Sequence, residues 1–428
     1  MEVSLAVTGD FLISQKLLRP PGYRELQDLL GQADVAFTNL ESLFHRFEGI
    51  PAAQSGGTYV GAHPSLVGEL LDLHIRLVAW ANNHTLDWGL PALFSTAQIL
   101  EEAGIVHAGV GEHLAAARGP SYIDLPQGRL GLVAACSSFP PGARAGEQRT
   151  DAPGRPGINP LRFSTAVEVE KEELEALQRL AERYGLLARR NLRARLGFAP
   201  PIHEGEVPLE GMVFRSGEGR GLKTDTHPAD EKGNLKAIAE ARRQADAVLF
   251  SLHHHEFSTN PEIPADFIRE FAKKALAEGA VAFLGHGPHL LQGIEIYRGR
   301  PIFYSLGNFV FQNETVLRQP ADFYETLGLG AEADPGEAFE KRNQQGGFIR
   351  DPRYFETVVA ILDLEGDKVR EVRLYPVELG FGLPRPQRGS PTLATGSKGR
   401  AILERLQQLS TPFGTTITID GGVGRIRL

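Results

Sequence analysis

The sequence predicts an α/β fold, with helices covering a largely buried sheet, and three observations carry that expectation. Apolar runs of strand length recur along the chain. Amphipathic or charged stretches of helical length fall between many of them. The runs end repeatedly in Asp, Glu, Asn and His, at the points where loops leave a rigid sheet and reach solvent. The chain has 428 residues, of which 42% are hydrophobic and 23% charged, so it can build a sizeable core. Its length points to two units. Residues 1–320 would be the main domain with an insertion over about 140–235, and 321–428 a C-terminal extension completing the fold.

Residues 5–8 form an apolar run ending in Gly9-Asp10, which puts a carboxylate just past a strand. Residues 33–38 read as a second strand, followed by Asn39-Leu40-Glu41. A third, 77–80, gives way to a polar tip that carries Asn83, His84 and Asp87. Residues 90–103 then read as an amphipathic helix closed by Gly104. The rhythm continues through 105–109, 130–135 and 247–252. Cys136, the single cysteine, ends a buried run and reads as core rather than nucleophile; one cysteine excludes an intrachain disulfide and fits a reducing compartment.

Residues 140–235 differ in texture. The stretch 140–162 is rich in Gly, Pro and Arg, 167–195 reads as a charged helix with Glu and Arg at i,i+4 spacings, and 200–228 is loop-like. The region reads as an insertion or lid beside a site. Arg155 and Arg162 are its candidates for substrate binding, because a guanidinium presents a fork of donors to an anionic group.

In Ser251-Leu252-His253-His254-His255-Glu256, strand alternation puts His253 and His255 on one face and His254 on the other. Residues 264–278 form a helix ending at Gly279. The apolar run 281–284 breaks at Gly285, and His286 and His289 follow. A further run, 301–304, ends in Ser305-Leu306-Gly307-Asn308. Beyond 311 the pattern loosens: 318–350 is helical and loop-like, 354–364 and 368–379 form a hairpin through Glu365-Gly366-Asp367, 397–410 is a helix and 415–428 strand. This tail shows no identifiable chemistry.

The balance of 45 basic and 53 acidic residues gives a net charge of -8, which argues against non-specific nucleic-acid binding. Residues 2–8 alternate directly into a strand, with no basic leader or long apolar segment before them. The expectation is a cytoplasmic chain without a membrane anchor, whose partner is a small-molecule or peptide substrate with an anionic group.

Collected, the tips supply Asp10, Glu41, Asn83, His84, His253, His255, His286 and His289. Mixed oxygen and imidazole donors suit Mn, Zn or Fe better than Mg or Ca. One carboxylate can bridge two ions, with an activated water as nucleophile. His84 and Asp87 suit a proton-transfer pair, the carboxylate orienting the imidazole.

These motifs resemble the CapA family of capsule and poly-gamma-glutamate synthesis proteins, whose fold is that of the calcineurin-like metallophosphatases. The resemblance rests on Gly9-Asp10, Asn39-Leu40-Glu41, Ala81-Asn82-Asn83-His84 with Asp87 and Gly89, Gly285-His286 with Pro288-His289, and Tyr304 to Phe309, and spans residues 9 to 311. It implies a central β-sandwich flanked by helices, with the site at the strand ends. It also implies that Glu41 bridges two divalent metals, that Asn83, His253 and His286 complete one metal site, and that Asp10 and His289 serve the other. His84 would act as general acid or stabilise the transition state; His255 and Asn308 are further candidates for substrate binding. Two departures stand out: Phe11 and Leu12 follow Asp10 where the metallophosphatases carry a His ligand, and His286 and His289 are spaced one residue wider than usual. The first metal site is therefore short of a nitrogen ligand. A metal-free epimerase remains as an alternative, with Asp10 facing His286 or His289 as paired acid and base. A non-catalytic accessory of polymer synthesis is a third.

Overall fold

The computed structural model describes residues 2–428 except 210, 218 and 220. Among the described residues, two large mixed sheets pack face to face. β1 (Glu2–Leu12) runs through the first; β2 (Val35–Leu40) joins it in parallel and β3 (Ile75–Ala79) extends β2. The antiparallel strand Glu356–Glu365 flanks the first half of β1 on its other side. The second sheet is built on β4 (Gly128–Cys136), β5 (Ala247–His253) and β6 (Ala282–His286), all parallel. β7 (Asn308–Phe311) returns the chain to the first sheet and pairs with the far end of β1.

The apolar runs are continuous because both faces of each sheet are covered. Leu5, Val7, Phe37 and Leu77 meet Leu132, Leu249 and Leu284 between the sheets. The alternate residues Ala6, Ala36 and Val78 pack outward in a separate cluster with Leu26 and Leu30 of the helix Tyr23–Gln32. Val133, Phe250, Leu252 and Phe283 pack against Phe267, Phe271 and Ala275 of the helix Asp266–Glu278. Each such side chain contributes about 1.5–3 kcal/mol when fully buried. This is a sandwich flanked by helices. In the C-terminal hairpin, Glu356–Glu365 and Lys368–Glu378 are joined through Gly366 at φ 61°.

The insertion differs from its expected form. The stretch 167–195 is not one helix: it opens within the strand Phe163–Val169, then forms the helices Lys171–Arg183 and Ala188–Arg195, parted at Gly185 with φ 67°. The loop-like stretch 200–228 contains the strands Glu206–Leu209, Met212–Ser216 and Gly221–Thr226, with 210, 218 and 220 outside the described residues. They pair with Phe163–Val169 into a four-stranded sheet, held to the main body by Phe163 stacked on Phe267 at 4.5 Å. Short strands separated by Gly and Pro show little periodicity alone, and their pairing supplies the order. No helix among the described residues is long and apolar enough to cross a membrane.

Candidate active site

The C-terminal ends of the parallel strands meet at one edge of the sandwich, and their register brings the polar tips together. Asp10 pairs with Asn39 on one side and Asn308 on the other, while His253 pairs with His286. Asp10 lies within β1 rather than past it. The ladder to β2 slips between Val7 and Asp10, and such a slip re-aims a side chain. Neighbouring backbone comes so close that glycine is required: a Cβ on Gly9 would lie 2.1 Å from the Gly307 carbonyl oxygen, and one on Gly285 2.0 Å from that of Tyr304.

Glu41 is the hub. It is fully buried, and neither carboxylate oxygen has a hydrogen-bond partner. His253 Nε2 lies 3.6 Å from Oε1, His84 Nε2 3.9 Å from Oε1, and His289 Nδ1 3.9 Å from Oε2. Burial pushes the Glu41 carboxyl up to about 7, and Asp10 adds to the rise against the pull of His289 and His84. Two donor groups share this carboxylate: Glu41 with His253 and His255, and Glu41 with Asp10 and His289. The resemblance implies that Asn83 and His286 join His253; among the Asp, Glu, His and Cys side chains His255 stands with His253 and His286 belongs to neither group, while Asn83 Oδ1 is buried without a hydrogen-bond partner. His286 is fully buried against Phe37, with Nδ1 3.6 Å from Asp10 Oδ1 and neither ring nitrogen hydrogen-bonded. Burial lowers its pKa to about 4.

Asp10 accepts from Asn39 Nδ2 at 2.8 Å and from the Gly287 amide at 3.0 Å. Burial pushes its carboxyl up, but the His289 hydrogen bond and the nearby imidazole charges outweigh that and hold it below its ordinary value. Asn39 also reaches His253 Nδ1 at 3.1 Å. Sequence reasoning assigned Asn39 no role, since only strand register shows that it faces Asp10. Asn308 Nδ2 is committed to the carbonyls of His289 and Tyr354, so its Oδ1 accepts from His289 Nδ1 at 2.8 Å. Asn308, expected beside the substrate, is buried and orients His289 instead. Burial lowers the His289 pKa, yet Glu41, Asp10 and Asn308 together raise it to about 9. His289 is also held at φ 59°, a strained conformation for a non-glycine residue.

His84 Nδ1 lies 2.7 Å from Asp87 Oδ2, which also accepts from the Val60 amide at 2.9 Å. Burial alone would lower the His84 pKa, but Asp87 and Glu41 raise it. Cys136 is buried with its thiol pushed well up by burial, as suits a core residue.

Asn83 and His255 connect this hub to a cleft of about 790 Å³, walled by Gln54, Tyr59, Phe139 and the C-terminal residues Phe323 and Arg342. A second cavity of about 360 Å³ shares Ala53, Gln54, Asn83 and Pro140 with the first and is lined by Arg155. Arg342, from the tail in which the sequence shows no identifiable chemistry, lines the larger cleft. It stacks on Phe339 at 4.6 Å and donates to Thr58 at 3.0 Å, and its buried Nε has no hydrogen-bond partner. Reciprocal hydrogen bonds between Gln319 and the Tyr59 backbone pin this segment over the cleft. Arg162, expected to face the cavity, is instead committed to Asp230 through contacts of 2.6 and 2.9 Å. Asp230 is almost fully buried, and Arg162 and Arg118, the latter at 3.3 Å, together compensate its carboxylate.

Comparison with known proteins adds a family to this geometry. The family described as "Bacterial capsule synthesis protein PGA_cap" matches residues 4–313. The chain is 37% identical to the "Uncharacterized protein y4sH" of Sinorhizobium fredii, over 99% of this chain and 93% of that one. It is 41% identical to the "PGA biosynthesis protein CapA" of Bacillus subtilis, over 24% of this chain and 27% of that one. A "Probable polyglutamine synthesis accessory protein" of Mycobacterium tuberculosis is 28% identical, over 59% of this chain and 50% of its own length. The chain belongs to the bacterial capsule synthesis PGA_cap family, and its fold is of the metallophosphatase type.

Proposed function

We propose that this member of the PGA_cap family is a metal-dependent hydrolase or transferase acting on a phosphate or amide bond in an extended anionic substrate of the poly-glutamate kind. The observation that carries the reading is Glu41, a fully buried carboxylate with two orphan oxygens among three imidazoles. A buried carboxylate without hydrogen bonds costs several kcal/mol unless a cation compensates it. The donors around it, carboxylate and imidazole, fit Mn, Zn or Fe. Asp10, Glu41 and His289 would hold one ion and Glu41, His253 and His255 a second. When bound there, a divalent cation supplies Lewis-acid polarisation of the scissile group and an activated water.

The chain's own residues do the rest. His84, backed by Asp87, presents Nε2 toward the hub and holds a proton for the leaving group. Asn83 and His255 form the boundary between hub and cleft. Arg342 and Arg155 line the two cavities that meet at Asn83, so an anionic polymer lying across both meets a guanidinium in each. The names of the Bacillus and Mycobacterium relatives agree with a polymer of this chemistry.

A second reading has its own observation. Asn308 holds the His289 proton on Nδ1, 3.5 Å from Asp10 Oδ2, and the raised pKa of that imidazole favours its cationic form there. Asp10 and His289 would then be the acid–base pair of an epimerase. One experiment separates the two: metal analysis of protein purified without added metal, followed by assay in chelator in deuterated water. Stoichiometric Mn, Zn or Fe and loss of hydrolysis in chelator support the first reading. Turnover in chelator, with deuterium at the product α-carbon, refutes it.

A further inference from the structure

The second helix of the insertion and its flanking turns carry a surface that the proposed chemistry does not use. The helix Ala188–Arg195 buries none of its residues. Around it, Tyr184, Leu186, Leu196 and Phe198 are each more than half exposed, and Leu180 and Leu192 nearly so. Six of the sixteen large apolar side chains exposed among the described residues thus fall between Leu180 and Phe198. Scattered apolar residues on a surface need no explanation, but a concentration of this kind marks an interaction site.

The charges on the second helix and the turns around it are of one sign. Residues 183–203 contain five arginines and no carboxylate, in a chain whose net charge is -8. At helical spacing Ala188, Leu192 and Leu196 form one stripe, flanked by Arg195 on one side and by Arg189 and Arg193 on the other. Among the described residues, none of Arg189, Arg193 and Arg195 has a carboxylate within 4.0 Å. Aromatic side chains stand at both ends, Tyr184 before the helix and Phe198 after it. The second helix is nevertheless anchored, because Leu187 at its start is buried with Leu174, Ala181 and Val207.

We infer that this helix and its flanks dock the protein on an anionic membrane surface, the leucines and Phe198 entering the headgroup boundary and the arginines meeting lipid phosphates. Short apolar stripes edged by arginine suit the interface of a bilayer, where stem and ring are buried and guanidinium stays wet. Charge complementarity commits the patch to an anionic surface. The rest of the chain is more acidic than its total charge shows and would be repelled, so docking is confined to this element.

The test is flotation of the full chain with vesicles of phosphatidylcholine alone or with phosphatidylglycerol, at low and high salt. Binding should require phosphatidylglycerol and weaken with salt. Arg189→Ala with Arg193→Ala should lower partitioning on the order of thirtyfold, about fivefold for each arginine. Leu192→Ser with Phe198→Ser should also release the protein. Neither pair should alter thermal unfolding, since these side chains are exposed. Equal binding to both vesicles, undiminished binding of the arginine variant, or no binding alongside self-association of the free protein would each overturn the inference. None of these readouts depends on the metal site.

Discussion

Replacing Glu41 with Gln should make the metal-free protein more stable while abolishing its metal binding. In the absence of a cation the buried carboxyl is raised from an ordinary 4.5 to about 7. At one pKa unit per 1.36 kcal/mol, ionising it in the folded state costs about 3 kcal/mol. Part of that is returned because Glu41 is the leading charge raising His289 to about 9. Losing it costs about 1 kcal/mol of the protonated imidazole's stabilisation near pH 7. The net gain for Glu41→Gln is about 2 kcal/mol, or about 2 °C in Tm for a chain of this length. The sign follows from proton uptake. Between pH 4.5 and 7 the native state binds more protons at Glu41 than the unfolded state, so wild-type stability falls there as pH rises. The gap between variant and wild type should therefore be near zero at pH 4.5 and open by pH 7. Guanidinium unfolding in chelator, followed through the buried Trp80 and Trp88, measures it. A variant less stable than wild type at pH 7 to 8, or a gap independent of pH, would falsify the view of Glu41 as an orphan charge awaiting a cation.

Three further outcomes follow from the same geometry. His255→Ala and Asp10→Asn should each lower bound metal by at least half in elemental analysis, whereas His286→Ala, outside both donor groups, should lower it less; the reverse order would restore the ligand set implied by family resemblance. Metal affinity should rise about tenfold per pH unit from pH 7 to 9, because a proton leaves His289 as the cation binds, and more steeply below 7 where Glu41 also carries one; calorimetric titration in buffers of different ionisation enthalpy counts those protons, and a flat profile contradicts the assignment. Arg342→Ala should raise KM for an anionic substrate about tenfold or more with metal content unchanged, while Arg162→Ala should lose about 1.5–3 kcal/mol of stability, since Arg118 still pairs with the buried Asp230, and leave KM alone. Equal effects on KM would mean that both arginines face the substrate.

What the sequence made legible and what it hid divide along a physical line. Asp10, Glu41, His84, His253 and His289 stand out because a parallel strand buried on both faces is apolar until it ends, so a polar residue there has nowhere to go but a site. Asn39 stands at such an end too, yet its function depends on pairing with Asp10 across the sheet, a register that a single sequence does not show. Arg155 and Arg162 looked alike for a related reason. Each is an arginine in a Gly/Pro-rich stretch, and only the fold brings Asp230, 68 residues away, to occupy one of them. Arg342 was invisible because its segment has neither strand nor strong helical periodicity, and reaches the cleft through Gln319 and Tyr59, 260 residues apart. On the proposed reading, the residues of the metal hub sit on the scaffold and can be read from local pattern, while the arginines that would meet the substrate arrive from distant segments, Arg342 on the helix Pro335–Gln345. Chemistry and recognition should then separate under mutation: changes along the strand ends alter metal content and turnover, and changes at Arg155 or Arg342 alter which anion is accepted. A swap of the 314–345 segment between relatives that shifted substrate preference while sparing metal content would show that separation directly.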